Sequence, residues 1–313
     1  MLSFLLIVAG CALLYLGAEW LVTGATEIAG RFNIPRAIAG LTLVALGTSA
    51  PELFVNVLAA SRGQTDFAMS NVAGSNLANI CLGFGICTLV ATINIPWRVF
   101  RIDLAFLLLT SLVIVVALQM HPVHVLPFRI TFLLTAMLAV YFVTLLGRSH
   151  DVDEVPSSDV RPRLLPGIAH LTVGSALLYL GAEIVLKMSQ QFAESLGVPS
   201  PIIGLTLVAA GTSIPDITAS IVASRKNEND IAVGNILGSN ISNIAFVLNG
   251  TLVTAGTSLS TSYLGSVDFL AVLGFSGVIV LGALWRTRLS PVVGCGLIGL
   301  YFVFMIWRVA EVV

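Results

Sequence analysis

GLTLVALGTSAPE, residues 40–52, places a carboxylate at the end of an apolar run, and GLTLVAAGTSIPD, residues 204–216, repeats the arrangement 164 residues downstream. Nine of the first ten positions are identical, and both copies end in an acid. Each copy is interrupted by Gly and Pro. Two hydrophobic segments of this kind predict two half-sites that come together.

The same offset recurs outside these stretches. YLGAE at 15–19 returns at 179–183, and NVAGSNLANI at 71–80 returns as NILGSNISNI at 235–244. The chain is therefore a duplication. Its composition excludes a water-soluble protein: 57% of the 313 residues are hydrophobic, 10% are charged, and the mean hydropathy is +0.99. A surface facing water carries roughly 25–35% charged residues, so most of this surface faces a lipid bilayer. A net charge of −1 gives no basis for nucleic-acid binding. Cys11, Cys81, Cys87 and Cys295 lie in apolar runs without a CxxC pair and read as small hydrophobes.

A spanning helix needs about 20 mostly apolar residues. Ten segments meet that length, near 2–28, 35–60, 66–93, 101–119, 125–147, 165–193, 200–224, 230–256, 265–285 and 290–310. The first lacks a basic leader and recurs in the second half, so it is expected to be a retained membrane helix. The predicted fold class is an all-α membrane protein with ten transmembrane helices. Two five-helix repeats, 1–147 and 165–313, flank a short polar linker at 148–164. An odd number of helices per repeat inverts the second relative to the first. Of the fifteen Lys and Arg residues, eleven fall on the linker side and three on the other, with Lys187 inside a helix. The positive-inside rule then predicts a cytoplasmic linker and extracytoplasmic termini.

In the second predicted helix, Pro51 denies the Gly47 carbonyl its usual partner. Ala45, Thr48 and Glu52 share a face, as do Ala209, Thr212 and Asp216 in the seventh. In the following helices Asn71, Ser75 and Asn79, and their counterparts Asn235, Ser239 and Asn243, are spaced by four and share faces too. Carboxylates, hydroxyls, amides and freed carbonyls are hard oxygen ligands suited to Na+, Ca2+ or Mg2+. Gly, Ser and Asn in one membrane helix fit helix packing equally well. Two intramembrane carboxylates, each costing about 2.5 kcal/mol or more, argue for a site instead. Glu19 and Glu183 read as interhelical or interfacial acids, with Lys187 paired to Glu183. Asp103 and Asp268 read as acids at helix starts, favoured by the dipole. His121 and His124 read as a solvated turn.

GTSAPE with GSNLAN, and GTSIPD with GSNISN, resemble the two α-repeats of the cation/Ca2+ exchanger superfamily, here spanning about 38–93 and 202–256. With the ten-helix pattern the resemblance covers nearly the whole chain and is nearest to the prokaryotic sodium/calcium exchangers. It implies a midplane site in which Glu52 and Asp216 are central ligands shared by Ca2+ and Na+. Thr48, Ser49, Thr212 and Ser213 would add oxygens. The carbonyls of Ala45 and Ala209 and the side chains of Ser75, Asn79 and Ser239 would line flanking Na+ positions. The first and sixth helices would slide across the rest. Asp216 stands where many bacterial relatives carry Glu. Asn243 stands where the K+-dependent branch needs an acid, so K+ independence is expected.

The implied function is a Na+-driven Ca2+ antiporter in the cell (inner) membrane, exporting Ca2+, with no cofactor beyond the transported ions and acting as a monomer. The alternative within transport is a Ca2+/H+ antiporter. A channel would call for a continuous polar stripe, and an enzyme finds no phosphate loop or nucleophile elbow in the sequence.

Overall fold

The computed structural model describes residues 2–120, 125–148, 164–195, 209–260, 263–285 and 288–311. Helix α1 is Leu2–Phe32. Helix α2 joins Arg36–Ala39, a π turn at Gly40–Val44 and Ala45–Ser61. Helix α3 joins Thr65–Ala78, a π turn at Asn79–Gly83 and Phe84–Val90. Then follow α4 (Trp97–Gln119), α5 (Ile130–Arg148), α6 (Leu164–Ser195) and α7 (Ala209–Thr212 and Ile214–Arg225). Helix α8 joins Asn229–Ser242, a π turn at Asn243–Val247 and Leu248–Ala255; α9 is Tyr263–Trp285 and α10 Pro291–Ala310.

Among the described residues eight helices are long and apolar enough to cross a membrane, and α2 makes nine if its bent pair counts as one span. The described part of α7 is shorter. Its crossing is supported by parity. Among the described residues four two-residue strands cap the bundle: β1 (Ile93–Asn94), β2 (Val125–Leu126), β3 (Leu259–Ser260) and β4 (Arg288–Leu289). β1 pairs antiparallel with β4, and β2 with β3. Strands can pair only on one membrane face, so an even number of crossings separates each pair. Between β2 and β3 lie α5, α6, α7 and α8, which requires α7 to cross. The two pairings are also equivalent under the repeat: each joins the segment after α3 or α8 to one in the other half. This is the inverted duplication that the sequence predicts.

Three local features depart from the predicted elements. Residues 125–126 are strand and α5 starts at Ile130, because Pro127 cannot continue a helix ladder from its amide. Arg148 and Leu164 belong to α5 and α6 rather than to the linker. His121, His124 and the remainder of the linker lie outside the described residues.

Helices α1 and α6, at 31 and 32 residues the longest among the described residues, pack antiparallel along a glycine seam. A Cβ on Gly10 would lie 3.1 Å from the Gly181 carbonyl oxygen, one on Gly17 2.8 Å from that of Gly174, and one on Gly24 2.6 Å from that of Gly167. The seven-residue spacing keeps the glycines on one stripe of each helix. Backbones in such contact leave no room for a side chain. Gly174→Val is therefore expected to destabilise the fold by about 1–3 kcal/mol, the usual cost of overpacking. Gly299→Ala, with open space around its Cβ position, is the matched control. Thermal unfolding of both variants in detergent checks this; equal melting temperatures would contradict the seam.

Against this pair stands the main core, in which α8 is buried along almost its whole length. Two buried ion pairs clasp the outer helices. Arg148 Nη1 donates to both Asp103 carboxylate oxygens at 3.0 Å, and Tyr141 donates to Oδ1 at 3.1 Å. Arg308 binds Asp268 bidentately, at 2.7 and 3.0 Å. These contacts correct the reading of Asp103 and Asp268 as helix-dipole acids. A charge removed from water needs a partner more than a weak dipole. Each pair ties the start of one helix to the end of the next, α4 to α5 and α9 to α10. Lys187 is exposed and makes no ion pair with Glu183 among the described residues.

Candidate cation-binding site

The two acid-bearing breaks meet inside the core. Glu52 and Asp216 are 1% and 0% exposed, on segments of α2 and α7 that pack against each other. The breaks differ in build. In α2 the chain bends by 46° between Arg36–Ala50 and Glu52–Ser61, and Glu52 stays within a helix. In α7 the helix stops at Thr212, Ser213 takes φ −85° and ψ −2°, and a new helix starts at Ile214. Asp216 thus sits in a first helical turn, where the positive end of the dipole favours a carboxylate.

The hydrogen bonds follow the same asymmetry. Asn79 Nδ2 donates to Asp216 Oδ2 at 2.7 Å, and Ser239 Oγ to Oδ1 at 3.0 Å. Both oxygens of Glu52 are buried without a partner. So are Ser49 Oγ, Asn79 Oδ1 and both side-chain polar atoms of Asn243. Buried polar atoms are rarely left unsatisfied. Unpartnered acceptor oxygens such as those of Glu52 suit a cation, which takes several oxygen ligands. Among the described residues no three His, Cys, Asp or Glu side chains gather as a metal cluster. A cation here would be held by two acids and neutral oxygens.

The remaining predicted residues act across the repeats. Thr48 Oγ1 contacts Asn235 Oδ1 at 3.3 Å while also donating to the Val44 and Ala45 carbonyls at 3.0 and 3.2 Å. Its equivalent Thr212 donates to Asn71 Oδ1 at 3.2 Å. Thr212 Oγ1 also lies 3.0 Å from Ser75 Oγ, and Ser213 Oγ donates to the Ser75 carbonyl at 3.3 Å. The hydroxyls of Thr48, Thr212, Ser213 and Ser75 thus tie each half to the other. Ala45 is buried in α2, and Ala209 begins the described part of α7.

The family model described as Sodium/calcium exchanger protein matches residues 2–149 and 166–310. The chain belongs to this family. It is 33% identical over 317 residues to Inner membrane protein YrbG of Escherichia coli (strain K12), covering 98% of this chain and 96% of that protein. It is 29% identical to Sodium/calcium exchanger MaX1 of Methanosarcina acetivorans, covering 79% and 81%. Its fold superposes on that of the sodium-calcium exchanger NCX_Mj soaked with 10 mM Na+ and zero Ca2+, with a TM-score of 0.82, 24% identity and coverage of 96% and 97%. It is a multi-pass membrane protein.

Part of the candidate site is hidden from a linear reading of the sequence. The π turns at Asn79–Gly83 and Asn243–Val247 begin at the two amides of the site. Such turns free a backbone carbonyl and often mark functional positions. They leave no mark in the hydropathy pattern. Asn56 and Ser220, equivalent under the repeat, brace the backbone behind the acids. Asn56 Nδ2 donates to the Glu52 carbonyl at 2.8 Å, and Ser220 Oγ to that of Asp216 at 2.9 Å. Asn235 Nδ2 reinforces the second bond at 2.9 Å. Asn56 and Ser220 lie four residues after an acid, and that spacing could have found them.

Proposed function

We propose that this chain is a secondary antiporter that exchanges Na+ for Ca2+ by alternating access, exports Ca2+ and does not require K+. The observation that carries the reading is the pair of unpartnered buried carboxylate oxygens of Glu52, set against the braced carboxylate of Asp216. Two acids give the empty site a charge near −2, which one Ca2+ neutralises. Na+ ions at the same oxygens supply comparable charge, so the two cations compete. An uncompensated pair of buried charges is expensive to carry through a closed state, which couples the two fluxes. Family membership and the name of MaX1 support the same reading.

Proteoliposomes with Na+, K+ and H+ gradients imposed separately test it. Radiolabelled Ca2+ uptake is expected under an outward Na+ gradient alone. Equal uptake driven by a pH gradient without Na+ would establish the H+ antiporter instead. Omitting K+ is expected to leave uptake unchanged. Asn243→Asp adds a third acid and is expected to introduce K+ dependence; a strict K+ requirement in the parent protein contradicts the assignment.

A further inference from the structure

The two repeats are equivalent in sequence but not in their present contacts. On the face that carries the linker, Lys226 follows α7 and reaches α1. Its Nζ donates to the Glu19 carbonyl at 3.2 Å and to Thr23 Oγ1 at 3.1 Å, and lies 3.6 Å from Glu19 Oε1. Three acceptors on one turn of α1 thus hold one ammonium. Shifted by 164 residues, Lys226 corresponds to Arg62, Glu19 to Glu183, Thr23 to Lys187 and Tyr15 to Tyr179. Arg62 follows α2 on the opposite face. It is exposed and, among the described residues, makes no ion pair with Glu183.

On that opposite flank α6 touches α2 at Gly47, where an added Cβ would lie 2.9 Å from Ser175 Oγ. Beside that contact a cleft of about 410 Å³ opens between the two helices, lined by Gly47, Ala50, Phe54, Ser175, Ala176 and Tyr179. Helices α2 and α6 run in the same direction, since α1 is antiparallel to both. Arg62 lies 15 residues beyond Gly47, and Glu183 lies eight beyond Ser175. At 1.5 Å per residue these are about 22 Å and about 12 Å past that contact, a mismatch of roughly two helical turns. The glycine seam makes α1 and α6 one body. A shift of α6 that brings Glu183 level with Arg62 therefore carries Glu19 away from Lys226.

We infer that Lys226–Glu19 and Arg62–Glu183 are reciprocal latches, one closed in each end state of the α1–α6 pair. Inverted repeats exchange conformations in alternating access, so a contact made by one repeat here is made by the other in the opposite state. The inference rests on the alternating-access part of the proposed function. Lys187, in place of the Thr23 hydroxyl, sits one turn from Glu183 and competes with Arg62 for it. The second latch is accordingly the weaker of the two, and the closed Lys226–Glu19 contact is the favoured state.

Spin labels at Gln64→Cys and Leu180→Cys, with the four native cysteines replaced by Ala, report the α6-to-loop distance in proteoliposomes. Two populations are expected, differing by about two helical turns, or roughly 10 Å. Lys226→Gln and Glu19→Gln are each expected to raise the short-distance population about threefold, the scale of one partly exposed ion pair. Arg62→Gln lowers it, the Lys226→Gln/Arg62→Gln double variant returns toward the parent, and Lys226→Arg keeps the parent ratio. Populations that do not move, or that move the same way in Lys226→Gln and Arg62→Gln, overturn the latches. Ca2+ uptake is measured on the same preparations. Populations shifting as stated without Na+-driven uptake would overturn the choice of coupled ions and leave the latches standing. Uptake with unshifted populations would overturn the latches alone.

Discussion

Glu52→Ala and Asp216→Ala are each expected to reduce Na+-gradient-driven Ca2+ uptake in inside-out vesicles by more than about a hundredfold, since even residues behind a metal ligand are worth 10–100-fold in affinity. Glu52 supplies two of the buried oxygens that have no other partner. Removing it takes away half of the site's negative charge and its only unbraced carboxylate. Asp216 is held by Asn79 and Ser239, so its loss also releases the amide and hydroxyl that orient the second half-site. The conservative changes separate these roles. Glu52→Gln keeps the shape and loses the charge, and is expected to be as damaging as Glu52→Ala. Asn79→Ala keeps both acids and is expected to weaken Ca2+ binding less than either. Persistent exchange in both Glu52→Ala and Asp216→Ala would refute the site.

The largest expected effect on stability lies far from that site. Arg308→Leu leaves Asp268 buried without its bidentate partner, at a cost of about 3–5 kcal/mol. Arg308 is 4% exposed and Asp268 6% exposed, so water cannot replace the lost contact. The double variant Arg308→Leu/Asp268→Leu is expected to recover most of the loss, because apolar groups of similar volume substitute well for a buried ion pair. Unfolding followed by size-exclusion chromatography after heating reads both variants. An unchanged melting temperature in Arg308→Leu would show that the pair is dispensable. The Arg148–Asp103 pair is partly exposed on the Arg side, at 15%, and its loss is expected to cost less. Both pairs lie on the outer helices, so these variants separate stability from ion binding.

The acids were legible in the sequence because an intramembrane carboxylate is costly and because each occurs twice at one offset. The hydroxyl and amide ladders were legible because four-residue spacing defines a helix face. The ion pairs of Asp103 and Asp268 were not legible, since their partners lie 45 and 40 residues away on a neighbouring helix. A single helix reading offers only the dipole. Nor could spacing tell that Thr48 and Thr212 bridge the repeats through Asn235 and Asn71. That pairing depends on how closely α2 and α8, and α3 and α7, approach.

The sequence by itself determined the class, the duplication and its inversion, because hydropathy, period and helix parity are properties of the chain alone. Only the tertiary structure decided that the halves are unequal. In GLTLVALGTSAPE the acid stays mid-helix with bare oxygens; in GLTLVAAGTSIPD it opens a new helix and is braced by Asn79 and Ser239. Equal sequences cannot state which repeat holds which conformation. That difference comes from tertiary packing, because Asn79, 137 residues from Asp216, donates to it across the repeats.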